Sequence, residues 1–145
     1  MKELFDVHCH MVPGVDDGAA DLEESLAMLK KQHEDGVRKI IITPHYRRRM
    51  FETPAKKVHE QFLKLQEAAK KEYPDMSLYL GCELHSNMDL QDILEKRKYV
   101  TMAGSSYVLL EFSEGDSAQH IRERVYNVLS CGCLLYTSPS PRDTR

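Results

Sequence analysis

Apolar residues along the chain fall into two kinds of run, short clustered blocks and stripes at helical spacing. Leu4-Phe5-Asp6-Val7 reads as a short buried strand. Asp21 and Glu24 make a capping-box-like pair, and Leu22, Leu26 and Leu29 then recur at i, i+4 and i+7, a helical stripe that Gly36 can stop. Val37 to Thr43 is β-branched and apolar, the composition of a buried strand. Thr53 as N-cap with Pro54 at the first helical position predicts a second helix, with Val58, Phe62, Leu65 and Ala69 as its buried stripe. Ser77 to Cys82 predicts a third strand, Leu90 to Lys96 a short helix and Tyr107 to Phe112 a fourth strand. A last helix follows, with Ile121, Val125, Val128 and Leu129 as its core face and Gly132 as its stop. Strands alternating with helices predict an α/β protein with a largely parallel sheet or barrel.

In such folds, reactive groups gather at the carboxyl ends of the strands. His8 and His10, two apart, point the same way from the end of the first strand, while Cys9 faces away. The turn Asp16-Asp17-Gly18 can bring a carboxylate back over them. His45 follows the second strand, Glu83 and His85 the third, and Glu111 sits in the otherwise apolar fourth. Taken singly, His45 could fix a loop, Glu83 could be an exposed strand end and His85 could lie on the surface. Glu111 resists that reading, because a carboxylate in an apolar strand needs a charged or hydrogen-bonded partner. Four strand ends offering His or Glu together point to a metal site. His33, His59 and His120 fall on helix bodies among polar neighbours and are left out of it.

A ligand set of His, Asp and Glu without thiolates favours Mn, Fe or Zn in a hydrolytic centre. Arg47, Arg48 and Arg49 follow His45, and guanidinium groups pair bidentately with phosphate oxygens. A solubilising basic loop is the alternative for any one of them. No Walker-type phosphate loop is present, and Cys9 is followed six residues later by Val15 rather than by the arginine a thiol phosphatase needs. Metal-assisted hydrolysis of a phosphate ester is therefore the expected chemistry.

The 145 residues fit one domain, and a net charge of −3 argues against a general nucleic-acid binder. No apolar run approaches the roughly 18 to 20 residues of a membrane span, and Met1-Lys2-Glu3-Leu4 does not open a signal peptide, so the expected location is the cytoplasm. The four scattered cysteines fit reduced thiols, and Cys131-Gly132-Cys133 is read as structural.

Asp6-Val-His-Cys-His10, Val15-Asp-Asp-Gly18, Thr43-Pro-His45, Phe51-Glu-Thr-Pro54, Gly81-Cys-Glu83 and Leu110-Glu-Phe112 together resemble the polymerase and histidinol phosphatase (PHP) superfamily. Within it the match is to the bacterial CpsB/CapC/YwqE-type manganese-dependent protein-tyrosine phosphatases of capsule and exopolysaccharide clusters. The resemblance runs from about residue 4 to residue 132 and implies a distorted β/α barrel. It implies up to three metal ions, manganese preferred, with Fe or Zn as alternatives. His8, His10 and Glu83 would hold one metal. Glu83 would bridge to a second that Glu111 also binds, and Asp17 with His45 would serve the third. Arg47 or Arg48 would help orient the phosphate, and Asp16 would only make the turn. The implied partner is the phosphorylated tail of a bacterial tyrosine kinase. A homo-oligomer is compatible with this. Two other readings stay open, a PHP hydrolase of a small ester such as histidinol phosphate and a non-catalytic module that binds the kinase through its basic loop.

The resemblance fades at the end of the chain. Residues 1–132 are expected to form about the N-terminal half of the barrel domain, and residues 133–145 a Ser/Pro-rich tail, disordered or non-native. On that expectation the barrel cannot close, and the chain is poorly stable and poorly active.

Overall fold

In the computed structural model, which describes residues 2–96 and 101–136, the chain winds through seven short strands and four helices. They are β1 (Leu4–Asp6), α1 (Leu22–Glu34), β2 (Val37–Ile42), β3 (His45–Tyr46), α2 (Ala55–Glu72), β4 (Ser77–Leu80), β5 (Glu83–His85), α3 (Leu90–Lys96), β6 (Tyr107–Glu111), α4 (Ala118–Ser130) and β7 (Leu134–Tyr136). All the strand pairs are parallel, in the orders β1-β2-β4 and β3-β5-β6-β7. Each new strand is laid beside the previous one with a helix between, which is the winding of a β/α barrel arc.

The two sheets meet where two expected strands end and pairing resumes beyond them. Pro44 has no N–H to give a ladder, so the run from Val37 pauses at Thr43-Pro44 and resumes as β3. Its neighbour pauses at Gly81-Cys82 and resumes as β5. Backbone bonds carry the ladder across the gap, from Thr43 N–H to Cys9 O at 2.8 Å, Gly81 N–H to Ile42 O at 2.8 Å and Glu83 N–H to Pro44 O at 2.9 Å. The core is divided at the same place. One cluster packs Leu29, Ile40, Ile42, Phe62, Leu65 and Leu78 between α1, α2 and the first sheet. The other packs Leu84, Leu90, Leu94, Val108, Leu110 and Val128 around the second. The seam between them is lined by polar side chains.

Helix α1 is capped as expected, with Glu24 N–H donating to Asp21 Oδ1 at 2.8 Å. Four other expectations are corrected. The strand read as buried at Leu4 to Val7 is the edge of its sheet, so Leu4 and Val7 are exposed and Phe5 is 61% exposed, with Lys39 over its ring. Pro54 rather than Thr53 stands at the N-cap of helix α2, which has no side-chain cap, and the Thr53 hydroxyl instead donates to Val15 O at 2.9 Å. On α4 only Val128 is fully buried, and Ile121 and Leu129 face solvent because, among the described residues, nothing covers that side of the helix. The stretch read as a tail from residue 133 begins with a strand. Leu134-Leu135-Tyr136 is apolar enough to pair with β6, and Cys133 is buried beneath it. The rest of that stretch, residues 137–145, lies outside the described residues. Among the described residues no helix is long and apolar enough to cross a membrane.

Candidate metal centre

The seam collects the strand-end side chains singled out in the sequence. β1 ends at Asp6, so His8 and His10 stand on an extended segment rather than in the strand, and they still converge. Cys9 between them turns into the first core cluster, where burial raises its thiol pKa well above the ordinary value. The break after Ile42 turns His45 inward, and the parallel register sets Glu83 beside it and Glu111 beside His85.

Glu83, 2% exposed, is the hub. Its Oε1 bonds His8 Nε2 and lies 3.4 Å from His10 Nε2, while its Oε2 lies 3.1 Å from His45 Nδ1. Glu111 Oε2 is also 3.1 Å from His45 Nδ1. The groups His8/His10/Glu83 and His45/Glu83/Glu111 therefore each present three ligand atoms within 4.8 Å of one another, and Glu83 belongs to both. Asp17 sits at the rim, half-exposed, with Oδ1 3.6 Å from His45 Nε2. Arg47 reaches in, its Nη1 3.5 Å from Glu111 Oε1, whereas Arg48 is exposed and, among the described residues, makes no ion pair.

These residues fit a cation. When the neutral His10 ring donates its Nδ1–H to Asp16 Oδ2, 3.1 Å away, its Nε2 is left with a lone pair. That nitrogen is buried, has no hydrogen bond and faces an oxygen of Glu83, as a ligand pair around a positive charge would. Glu83 Oε2 and His8 Nδ1 are likewise buried without a hydrogen bond. The metal-free electrostatics carry the same signature. Burial disfavours protonation of His45, but the Glu111 and Glu83 carboxylates raise its pKa to about 10. Burial opposes ionisation of Glu83 too, and the surrounding imidazoles hold it ionised far below the usual carboxylate range. Glu111 moves the other way, raised by burial and by its proximity to Glu83.

Asp16 does more than make a turn, and this the sequence reading missed. Its Oδ1 accepts from Gly18 N–H at 2.9 Å, as a turn residue's would, but its Oδ2 takes both His10 Nδ1–H and, at 3.0 Å, the His45 backbone N–H. It ties the first segment to the second and sets the tautomer of His10. A carboxylate behind a histidine ligand is a recurrent device of metal sites. Asp16→Ala is expected to weaken metal uptake by roughly 10- to 100-fold, measured by calorimetry with Mn2+, while Asp17→Ala leaves the His8/His10/Glu83 group within about threefold of the parent. Equal losses in the two variants would mean that Asp16 merely shapes the loop. The signal available in the sequence was its position six residues after His10. His85, which the sequence left open as a surface residue, is buried at 3% exposure.

Comparison with known proteins places this layout. The chain is 40% identical over 129 residues to the tyrosine-protein phosphatase CpsB of Streptococcus pneumoniae, covering 89% of this chain and 53% of that protein. Identity to the tyrosine-protein phosphatase YwqE of Bacillus subtilis (strain 168) is 27% over 125 residues, 86% of this chain and 49% of that protein. The fold superposes, with a TM-score of 0.82 and 26% identity, on a chain from the crystal structures of YwqE from Bacillus subtilis and CpsB from Streptococcus pneumoniae, described as unique metal-dependent tyrosine phosphatases. That superposition covers 92% of this chain and 54% of the other. The chain thus spans about half the length of the curated relatives it matches. Its residues 4–136 match the family described as capsular polysaccharide synthesis, CpsB/CapC, and to that family the chain belongs.

Proposed function

We propose that this chain carries a large part of the centre of a metal-dependent protein-tyrosine phosphatase, a hydrolase that removes phosphate from the tail of a bacterial tyrosine kinase controlling capsule or exopolysaccharide synthesis. The observation that carries this reading is the convergence of His8, His10, His45 and Glu111 on Glu83, with Arg47 beside them. In this reading His8, His10 and Glu83 would hold one metal, and Glu83 with Glu111 would serve a second. His45 offers Nε2 toward Asp17 for a third, while its Nδ1 faces the two glutamates. Carboxylate and imidazole ligands without thiolate suit Mn2+, with Fe or Zn as the alternatives. A divalent cation held there supplies Lewis-acid polarisation of a phosphoryl oxygen and brings the pKa of coordinated water toward neutrality.

The protein's own groups do the rest. Arg47, already paired with Glu111 Oε1, is placed to swing a guanidinium edge onto phosphate oxygens, and Arg48 on the rim of the same loop to meet a phosphorylated segment. The setting is the cytoplasm, where the thiols of Cys9 and Cys82 stay reduced.

The test compares phosphate release from a phosphotyrosyl peptide and from histidinol phosphate, with Mn2+ and with chelator. The expected result is metal-dependent turnover favouring the peptide and lost in His8→Ala. Preference for histidinol phosphate, or turnover that survives chelation, would overturn the reading. Turnover by the 145-residue chain is expected to be small, so calorimetric Mn2+ uptake, lost in His8→Ala, reads the ligand set independently.

A further inference from the structure

Beside the metal ligands, at the ends of β5 and β6, lies a second set of polar groups, His85 and Ser86 buried and Ser113, Asp116 and His120 partly so. The parallel register sets His85 opposite Glu111. The backbone N–H of Asn87 donates to His85 Nδ1 at 3.1 Å, which puts the ring proton on Nε2. That Nε2–H donates to Ser113 Oγ at 3.0 Å, with Glu111 Oε1 3.7 Å away. Ser113 is itself fixed, its N–H donating to Asp116 Oδ2 at 2.8 Å. Asp116 Oδ2 also accepts from the buried Ser86 hydroxyl at 3.4 Å, and His120 Nε2 lies 3.3 Å from that hydroxyl. The direction of the His85 donor is therefore set from both sides of the ring.

An imidazole whose Nδ1 lone pair is filled and whose Nε2 bears hydrogen has no electron pair left for a cation, so His85 is not a further ligand. What it can do is act on Glu111. One carboxylate oxygen, Oε2, faces His45 and Glu83. The other, Oε1, is flanked by Arg47 at 3.5 Å and by the positive N–H edge of His85 at 3.7 Å. We propose that His85 is a positioning residue: the partial positive charge of its Nε2–H edge, held in place by Ser113, acts with Arg47 on Glu111 Oε1 and orients the carboxylate so that the opposite oxygen is presented, beside Glu83, to a divalent cation. The inference rests on the metal-centre reading above.

Two amides of equal polarity and different reach test it. In His85→Gln the side-chain nitrogen can occupy about the place of the imidazole Nε2, whereas in His85→Asn it reaches only the place of Nδ1. Mn2+ alone is titrated into each full chain by calorimetry, with far-UV circular dichroism and thermal melting as fold controls. The expected result is that Asn weakens one class of Mn2+ site by roughly 10- to 100-fold while the other is unchanged, and that Gln stays within about threefold of the parent. Equal affinities in the Asn and Gln variants, or equal losses in both, overturn the positioning role. A parent chain that takes up no Mn2+ overturns this inference and the metal-centre reading together. A parent that binds while the Asn and Gln variants behave alike overturns this one only.

Discussion

Glu83→Gln is expected to remove Mn2+ uptake from both ligand groups at once, with affinity falling by at least about 100-fold, or roughly 2.7 kcal/mol, in each. The reason is that Glu83 is shared. Oε1 serves the His8/His10 side and Oε2 the His45/Glu111 side, and its pKa is driven down by the imidazoles around it. Gln preserves shape and one carbonyl oxygen but removes the charge that both cations would neutralise. Glu111→Gln, on the edge of one group, should affect that group alone, and two-site calorimetry separates the cases. If Glu83→Gln weakened only one class of site, the bridging role would be wrong. The metal-free chain adds a pH test. The pKa of His45 is raised from 6.5 to about 10 by the two glutamates, working against its burial. The stability this contributes is therefore complete below about pH 6.5 and is lost as pH rises toward 10. His10 is shifted in the same sense and His85 in the opposite one. Chelated parent protein should melt at progressively lower temperature across that window. In Glu83→Gln the pKa of His45 moves back toward 6.5 and the slope across the upper part of the window flattens.

Which parts of this centre could be read in the sequence follows from the range of the interactions involved. His8 and His10 were legible from a two-residue spacing, and His45, Glu83 and Glu111 from their places at the ends of apolar runs. These are local patterns that a parallel sheet converts into proximity. The strand ends at Thr43-Pro44 and Cys82 were read, but not that the ladder resumes beyond them as β3 and β5. Those strands are two and three residues long and carry His45, Glu83 and His85, too short and too polar to stand out as apolar runs. Phe5 and Ile121 were misjudged for another reason. Apolar composition indicates a strand or helix face able to be buried, but burial depends on what lies beyond the edge strand or the outer helix, and neither of those is a local property. Asp16 and His85 were passed over because their importance is two contacts deep. Asp16 acts through His10 and the His45 backbone, and His85 through Glu111. No spacing rule encodes a partner about thirty residues away.

Gly18→Ala is expected to be the most damaging small substitution in the loop that opens the centre. A Cβ at Gly18 would lie 2.1 Å from His10 O, 2.6 Å from His10 Cβ and 2.9 Å from the His10 carbonyl carbon. All three belong to the backbone or the first side-chain atom of a ligand, so no flexible group can yield. The loop lies this close because it folds back over the histidines. Ala19 N–H donates to His10 O at 3.1 Å, Gly14 N–H to Ala19 O at 2.9 Å and Gly18 N–H to Asp16 Oδ1. Relieving the clash must lift that turn, and Asp16 leaves His10 and the His45 N–H as it goes. Overpacking of this kind typically costs about 1–3 kcal/mol, and a backbone-to-backbone overlap belongs at or above the top of that range. The metal affinity of the His8/His10/Glu83 group should fall with it. Gly14→Ala supplies the contrast within the same loop. Gly14 has φ +70°, but its Cβ would meet nothing nearer than Ala20 O at 3.4 Å and Gln61 Nε2 at 3.8 Å. The expected cost there is about 1–2 kcal/mol of left-handed backbone strain, with Mn2+ affinity retained. Denaturant unfolding and Mn2+ calorimetry on the two variants read both quantities. If Gly18→Ala proved as stable as Gly14→Ala, or bound Mn2+ like the parent, the close approach of this turn to His10 would not be what holds the ligands in place.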